Sequence, residues 1–384
     1  MKKMAALKFQ IKTNFKNGGS DSAAACSLSA FLHKNRKADR QFIVFADCHH
    51  NEMPENMAGV KKLLEKGDYK IQGYFVDYRS LTITKLLSEM LRFMELYSRA
   101  RCVFICDNFL PVASCRKRKE TIVVQLWHAA GALKKFGYDS ADDIPGWYPG
   151  NVFKNYDLVT VSGKACVQPF ASAMRLPAEK VKPLGISRTD RYFEPGYCEE
   201  CHRQFYARCP DARNKRIALW APTFRGRLTA PYVPGEAEIR KLSDLLGPEW
   251  MVLVKFHPHM HRRGDAVADS FSAEELLPVI DFLITDYSSI VFDYLLFEKP
   301  FAFFVPDLEQ YVSKRGLYMP LEEFPGRITR NAEQLYQAII EEWDNEKYVH
   351  LQACRQFYME ACDGKATKRI LEEIGLTCFY TSVP

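Results

Sequence analysis

The chain has 384 residues, 47% of them hydrophobic and 26% charged, with a formal net charge of +6. That length suits two domains of ordinary size, and that composition a globular protein. No run reaches the roughly 20 apolar residues of a membrane-spanning helix, and the basic N-terminus has no apolar core before Gly18. Neither a transmembrane span nor a signal peptide is therefore expected, and a cytosolic chain is.

The charge is uneven. Residues 1–40 hold nine Lys or Arg against two Asp, Arg116 to Lys119 is a second basic block, and Lys134 with Lys135 is a third. Such clusters suit anionic lipid, nucleic acid or a phosphate-rich substrate, while a solvated face is the plainer use of any one of them. Cys198, Cys201, His202 and Cys209 are zinc-ligand types without zinc spacing. Cys102 and Cys106, inside an apolar run, read as reduced core thiols.

In chain order, strands are expected at Phe42–Ala46, Ile71–Val76, Cys102–Cys106, Thr121–Leu126 and Asp157–Ser162. Helices are expected at Pro54–Lys66, Leu81–Tyr97 and from about Cys166. The Leu81–Tyr97 pattern places Leu86, Met90, Phe93, Met94 and Tyr97 on one face, for the core or for a membrane surface. Residues 190–214, charged and punctuated by Pro and Gly, read as a link. Strands resume at Ile217–Ala221, Met251–Phe256, Phe282–Thr285 and Pro300–Val305. Further helices are expected at Glu236–Leu246, Glu333–Asp344, Val349–Glu360 and Ala366–Ile374. Alternating strands and helices predict an α/β fold of two doubly wound halves with a cleft between them.

Polar residues follow several strands directly: Trp127-His128, Thr223 with Arg225, His257 with His259, and Asp286 with Ser288 and Ser289. In parallel sheets these positions line one edge, where ligands bind. His128 reads as a general base or as a packed histidine beside Trp127. His257 suits a phosphate or a leaving group. Arg225, expected to be exposed, is a phosphate clamp or a surface charge. Alternate residues of an extended chain point apart, so His257, His259 and His261 are not expected to bind metal. The stretch Asp281–Asp293, DFLITDYSSIVFD, reads as strand, turn and helix. Its free N–H groups and hydroxyls suit an anion, and ordinary capping by Ser288 or Ser289 is the alternative. Thr367, in a turn opening the last helix, could cradle a second phosphate or simply belong to a capped terminus.

The segments QLWHAAGALKKFG (Gln125–Gly137), WAPTFR (Trp220–Arg225), VKFHPH (Val254–His259), ITDYSSIVFDY (Ile284–Tyr294) and DGKATKR (Asp363–Arg369) together resemble the CDP-glycerol glycerophosphotransferase family. FADCHHNEMPENMAGVKKLL (Phe45–Leu64) also looks like the family's first strand, loop and helix. The resemblance implies a GT-B-like fold of two Rossmann-like domains. The expected division is an acceptor- and membrane-facing domain at 1–205, a CDP-glycerol-binding domain at 206–365, and a C-terminal helix and tail at 366–384. It implies transfer of glycerol phosphate from CDP-glycerol to a hydroxyl of a lipid-linked saccharide or glycerol-phosphate acceptor, with release of CMP. No metal or cofactor is implied, nor any nucleic-acid partner. It implies a peripheral enzyme on the cytoplasmic face of an anionic membrane, in teichoic acid synthesis. His128 would be the base and His257 a second essential histidine. Ser288, Ser289 and Thr367 would hold donor phosphates, with Thr223, Arg225, Asp286 and Arg369 also on the donor side. Many members carry WHGTPLK where this chain has WHAAGALKK. The length resembles the members that add one or a few units. Three alternatives stand beside this reading: a CDP-ribitol donor, a GT-B glycosyltransferase using a nucleotide sugar, and a basic membrane-surface binding protein.

Overall fold

Runs such as Phe42–Ala46 and Cys102–Cys106 are apolar at nearly every position, which suits strands covered on both faces. The computed structural model of the chain describes residues 38–113, 117–141, 143–144, 150–227, 230–256, 260 and 264–376. The first half comprises β1 (Asp39–Asp47), α1 (Glu55–Leu64), β2 (Lys70–Phe75), α2 (Ile83–Arg99), β3 (Ala100–Ile105), β4 (Ile122–Gln125), β5 (Leu158–Thr160), α3 (Val167–Met174) and β6 (Val181–Lys182). Its six strands form one parallel sheet in the order β2-β1-β3-β4-β5-β6.

The second half comprises α4 (Tyr197–Arg208), β7 (Arg216–Ala221), β8 (Arg225–Arg227), β9 (Ala230–Tyr232), α5 (Glu236–Leu246), β10 (Trp250–Val254), β11 (Phe282–Thr285), α6 (Ile290–Leu295), β12 (Phe301–Phe304), α7 (Leu308–Lys314), β13 (Arg327–Thr329), α8 (Ala332–Ile340), α9 (Asn345–Met359) and α10 (Ala366–Glu373). Five of these strands form a second parallel sheet, β10-β7-β11-β12-β13, and β8 pairs with β9 as a separate antiparallel hairpin. The two doubly wound halves expected from the sequence are present. Each sheet runs from its first strand to one side and then returns past it. The strand order therefore reverses between β1 and β3, and again between β7 and β11. Loops leaving the carboxyl ends of strands at such points are where open parallel sheets bind ligands.

Alternation along the strands sorts the core. Ile43, Phe45, Phe104 and Val124 pack with α1 on one face of the first sheet, and Val44, Ala46, Val103 and Val123 pack with α2 on the other. Leu86, Met90, Phe93, Met94 and Tyr97 of α2 are all buried there, so that apolar face belongs to the core. Among the described residues no helix is long and apolar enough to cross a membrane. The basic residues 1–37 and Arg116 lie outside the described residues.

The structure adds what the pattern hid. The 190–214 link contains α4, a helix of 12 residues that buries only Cys201 and Phe205, so its periodicity is faint beneath charged neighbours. The final helix α10 returns to the first sheet, where Ile370, Leu371 and Ile374 pack beside α1.

Candidate active site

At the reversal point of the first sheet, the loops after β1, β3 and β4 come together. The buried Gln125 holds two of them. Its Nε2 donates to the Asp107 carbonyl (2.9 Å), and its Oε1 accepts from the Trp127 N–H (2.9 Å). Trp127 takes a left-handed φ of 57°, an uncommon conformation for a bulky residue that marks a constrained turn. Asn56 Nδ2 donates to its carbonyl (2.7 Å) and steadies it. The turn presents His128, half exposed, with its imidazole stacked on the Trp127 indole at 4.6 Å between centroids. His128 Nδ1 stands 3.7 Å from Asp107 Oδ2. Burial alone would push the Asp107 carboxyl up. The nearby His128 and His49 and the Asn108 N–H outweigh it and hold Asp107 below the usual carboxylate range.

The chain then crosses to the second half. Ala130 and Leu133 are buried in the core of the second sheet together with Phe292. Gly131 sits between them at φ 65°, and a Cβ there would lie 2.1 Å from the Phe292 ring. Only glycine accepts both that conformation and that approach. Two backbone bonds stitch the crossing, Lys135 N–H to Gly316 O (3.1 Å) and Tyr318 N–H to Leu133 O (2.9 Å). Arg315 Nη2 adds bonds of 2.9 Å to both carboxylate oxygens of Asp143. The His128 loop is thus built from both halves.

At the reversal point of the second sheet, both Asp286 oxygens accept from the Thr223 N–H (2.9 and 3.0 Å). Arg225 Nη2 donates to Asp286 (2.9 Å), its Nε to Asp307 (2.7 Å) and its Nη1 to the Thr223 carbonyl (2.6 Å). Its guanidinium also lies near the Tyr287 and Tyr311 rings, at 4.9 and 4.7 Å. Arg225 is therefore buried, not exposed as its sequence setting suggested. Its partners are two carboxylates 61 and 82 residues away, a pairing invisible in local sequence. The Thr223 hydroxyl is buried without a hydrogen-bond partner among the described residues. Ser288 Oγ accepts from the Ile290 N–H at 3.4 Å, and Ser289, at the start of α6, makes no side-chain cap.

Between the halves lies a cleft of about 430 Å³, lined by Asp107, Trp127, His128 and Lys134 from one side and Tyr287, Ser289 and Arg315 from the other. His128 and Ser289, named from sequence, share it. Thr223, Arg225 and Asp286 form the bracing network behind Tyr287. His257 and His259 lie outside the described residues. Thr367 and Arg369 do not line the cleft. The Thr367 hydroxyl bonds Ser187 Oγ (2.8 Å), and the N–H groups of Ala366 and Thr367 donate to the Asp190 carboxylate at 2.9 and 2.8 Å. A carboxylate thus occupies the turn where a phosphate was expected. Arg369 donates to Asp363 and to the carbonyls of Leu184 and Ala361. Sequence reasoning missed Asp107, although it follows β3 directly, as His128 follows β4; the same rule of polar residues after strands would have found it.

The arrangement places an imidazole with a carboxylate behind it, the Ser289 hydroxyl and the cations Lys134 and Arg315 around one interdomain cleft. The model of the family described as CDP-Glycerol:Poly(glycerophosphate) glycerophosphotransferase matches residues 28–376. A teichoic acid ribitol-phosphate primase of Bacillus spizizenii is 32% identical over 364 residues, 88% of this chain and 92% of that protein. A teichoic acid glycerol-phosphate primase of Bacillus subtilis is 29% identical over 292 residues, 71% of this chain and 73% of that protein. The solved structure of the wall teichoic acid polymerase TagF shares the fold, with a TM-score of 0.73 at 18% identity, covering 96% of this chain and 97% of that one. The GT-B-like architecture expected from the motifs is thereby met, and the chain, a phosphotransferase of the teichoic acid type, belongs to the CDP-glycerol:poly(glycerophosphate) glycerophosphotransferase family.

Proposed function

We propose that this enzyme transfers an alditol phosphate from a CDP-alditol to a hydroxyl of a lipid-linked saccharide and releases CMP. The observation that carries the reading is that His128, with Asp107 behind it, opens onto the same cleft as Ser289. His128 takes the acceptor proton. Ser288, Ser289 and Thr223 receive the donor diphosphate, with Arg225 and Asp286 bracing their loops. His257, which comes after β10 in the chain, is assigned to the phosphates on the strength of the motif resemblance. The first half faces the acceptor, and the basic sequence of residues 1–37 suits an anionic membrane surface on the cytoplasmic side. The second half binds the donor.

Two donors are in play. Ribitol is favoured by the primase relative that this chain matches over 92% of its length. Glycerol is favoured by the family's description and by the motif resemblance. The test incubates the full chain with a lipid-linked disaccharide and CDP-ribitol, CDP-glycerol or a nucleotide sugar, and follows CMP release and product mass. Turnover with a CDP-alditol and a mass gain of one alditol phosphate per transfer supports the proposal. Turnover with the nucleotide sugar alone would replace it with glycosyl transfer.

A further inference from the structure

Lys134 lies in the stitch between the two halves, its backbone bridged to Leu317, and its side chain lines the cleft with His128 and Ser289. The cations at the cleft and just behind it differ in one respect. Arg315 is held by Asp143 and Arg225 by Asp286 and Asp307. Lys134 has no ion pair or hydrogen bond from its ammonium among the described residues. A cation taken partly out of water without a counter-ion is costly unless a ligand supplies the charge. We infer that Lys134 holds the phosphate that is transferred, opposite the base that activates the acceptor.

The inference rests on the donor reading above and adds a residue to it. In the reaction the acceptor oxygen bonds the alditol-side phosphorus while the bond from that phosphorus to the CMP oxygen breaks. The acceptor proton passes to His128, and CMP departs with the bonding pair. Lys134 keeps its proton throughout and faces the charge on the phosphoryl oxygens, the usual role of a positioned cation in such transfers. Burial first, and then the nearby Arg315 and Arg225, bring the ammonium down to about 8, while Asp286 and Asp143 pull the other way. His128, Asp107 and Tyr287 are the remaining titratable groups among the described residues lining the cleft. An anion bound at Lys134 favours the charged form, so binding should take up a proton and weaken as the solution passes the lysine's range.

The test is calorimetric binding of CDP and of CMP to the full chain. CDP carries the second phosphate that stands in for the transferred one, and CMP lacks it. Lys134→Met, similar in length and uncharged, should weaken CDP about 10- to 100-fold, the worth of one charged hydrogen bond, and leave CMP unchanged. Its melting temperature should not fall. Lys134→Arg should recover most of the CDP affinity. It should also flatten the loss of affinity expected of the wild type between about pH 7 and about pH 9. Equal weakening of CDP and CMP would place the lysine on the leaving group and overturn the inference. So would unchanged CDP binding by Lys134→Met, or failure of Lys134→Arg to recover it. A wild type that binds neither nucleotide would instead remove the donor reading, and this inference with it.

Discussion

His128 Nδ1 lies 3.7 Å from Asp107 Oδ2, too long for a hydrogen bond and short enough to act through charge. Closure of the cleft on substrate would shorten such a pair, as is common for catalytic contacts in unliganded sites. If Asp107 orients the imidazole, Asp107→Asn should lower kcat by about 10- to 100-fold with little change in donor KM. His128→Ala should cost about 10²- to 10⁴-fold. The double variant should be no slower than His128→Ala, because the carboxylate acts only through the ring. Steady-state CMP release measures all three, and additive losses would assign Asp107 a separate role. The acid side follows from the direction of its shift. With a folded pKa below its unfolded value near 3.9, Asp107 stabilises the fold above that value and ceases to as pH falls through the lower one. The stability gap between wild type and Asp107→Asn should therefore close only below about pH 4.

Arg225 and Asp286 test the difference between a brace and a clamp. Their side chains are 7% and 3% exposed, and each satisfies the other together with the Thr223 backbone. Removing Arg225 leaves the buried Asp286 carboxylate without its cation, which costs about 3–5 kcal/mol, whereas removing Asp286 leaves Arg225 still paired with Asp307. Arg225→Met should therefore lower the urea midpoint more than Asp286→Ala does. A variant that kept its stability and lost only donor affinity would return Arg225 to the role of phosphate clamp.

The strands were legible because both sheets are covered on both faces, so runs such as Ile217–Ala221 and Phe282–Ile284 are apolar throughout. The switch-point edges followed, since polar residues after such strands have one place to go. What escaped depended on partners distant in the chain. The burial of Arg225 needs Asp307, and the environment of Thr367 needs Ser187 and Asp190. The helix α4 escaped because two buried side chains do not make a period. The vacant ammonium of Lys134 is defined by which neighbouring cations already have carboxylates, a relation that exists only once the halves are docked.

Gly131 reports on that docking. Any side chain at this residue meets both a positive φ and the Phe292 ring. Gly131→Ala should destabilise by about 2–4 kcal/mol, from backbone strain and overpacking together. Because the strain displaces the turn that carries His128, kcat should fall even at temperatures where the variant is folded. Thermal melting together with CMP release checks this. A folded variant with wild-type kcat would mean that His128 is positioned from the first half alone.

The N-terminus of α10 makes the last prediction. Burial is the main influence on Asp190 and raises its carboxyl above the usual range, against the opposing N–H bonds from Thr367 and Ala366. A carboxyl whose pKa rises on folding favours the fold when protonated, below its unfolded value near 3.9. That contribution is lost as pH climbs through the raised value. Near neutral pH the ionised group therefore carries a burial penalty that an amide would not. Asp190→Asn should melt at or above the wild-type temperature near neutral pH and converge with it below about pH 4. Asp190→Ala, which leaves both N–H groups without an acceptor, should lose about 1 kcal/mol. If the Asn variant were as unstable as the Ala variant at neutral pH, the negative charge itself would be what secures α10. The turn at Ala366 and Thr367 would then be an anion site filled from within the protein.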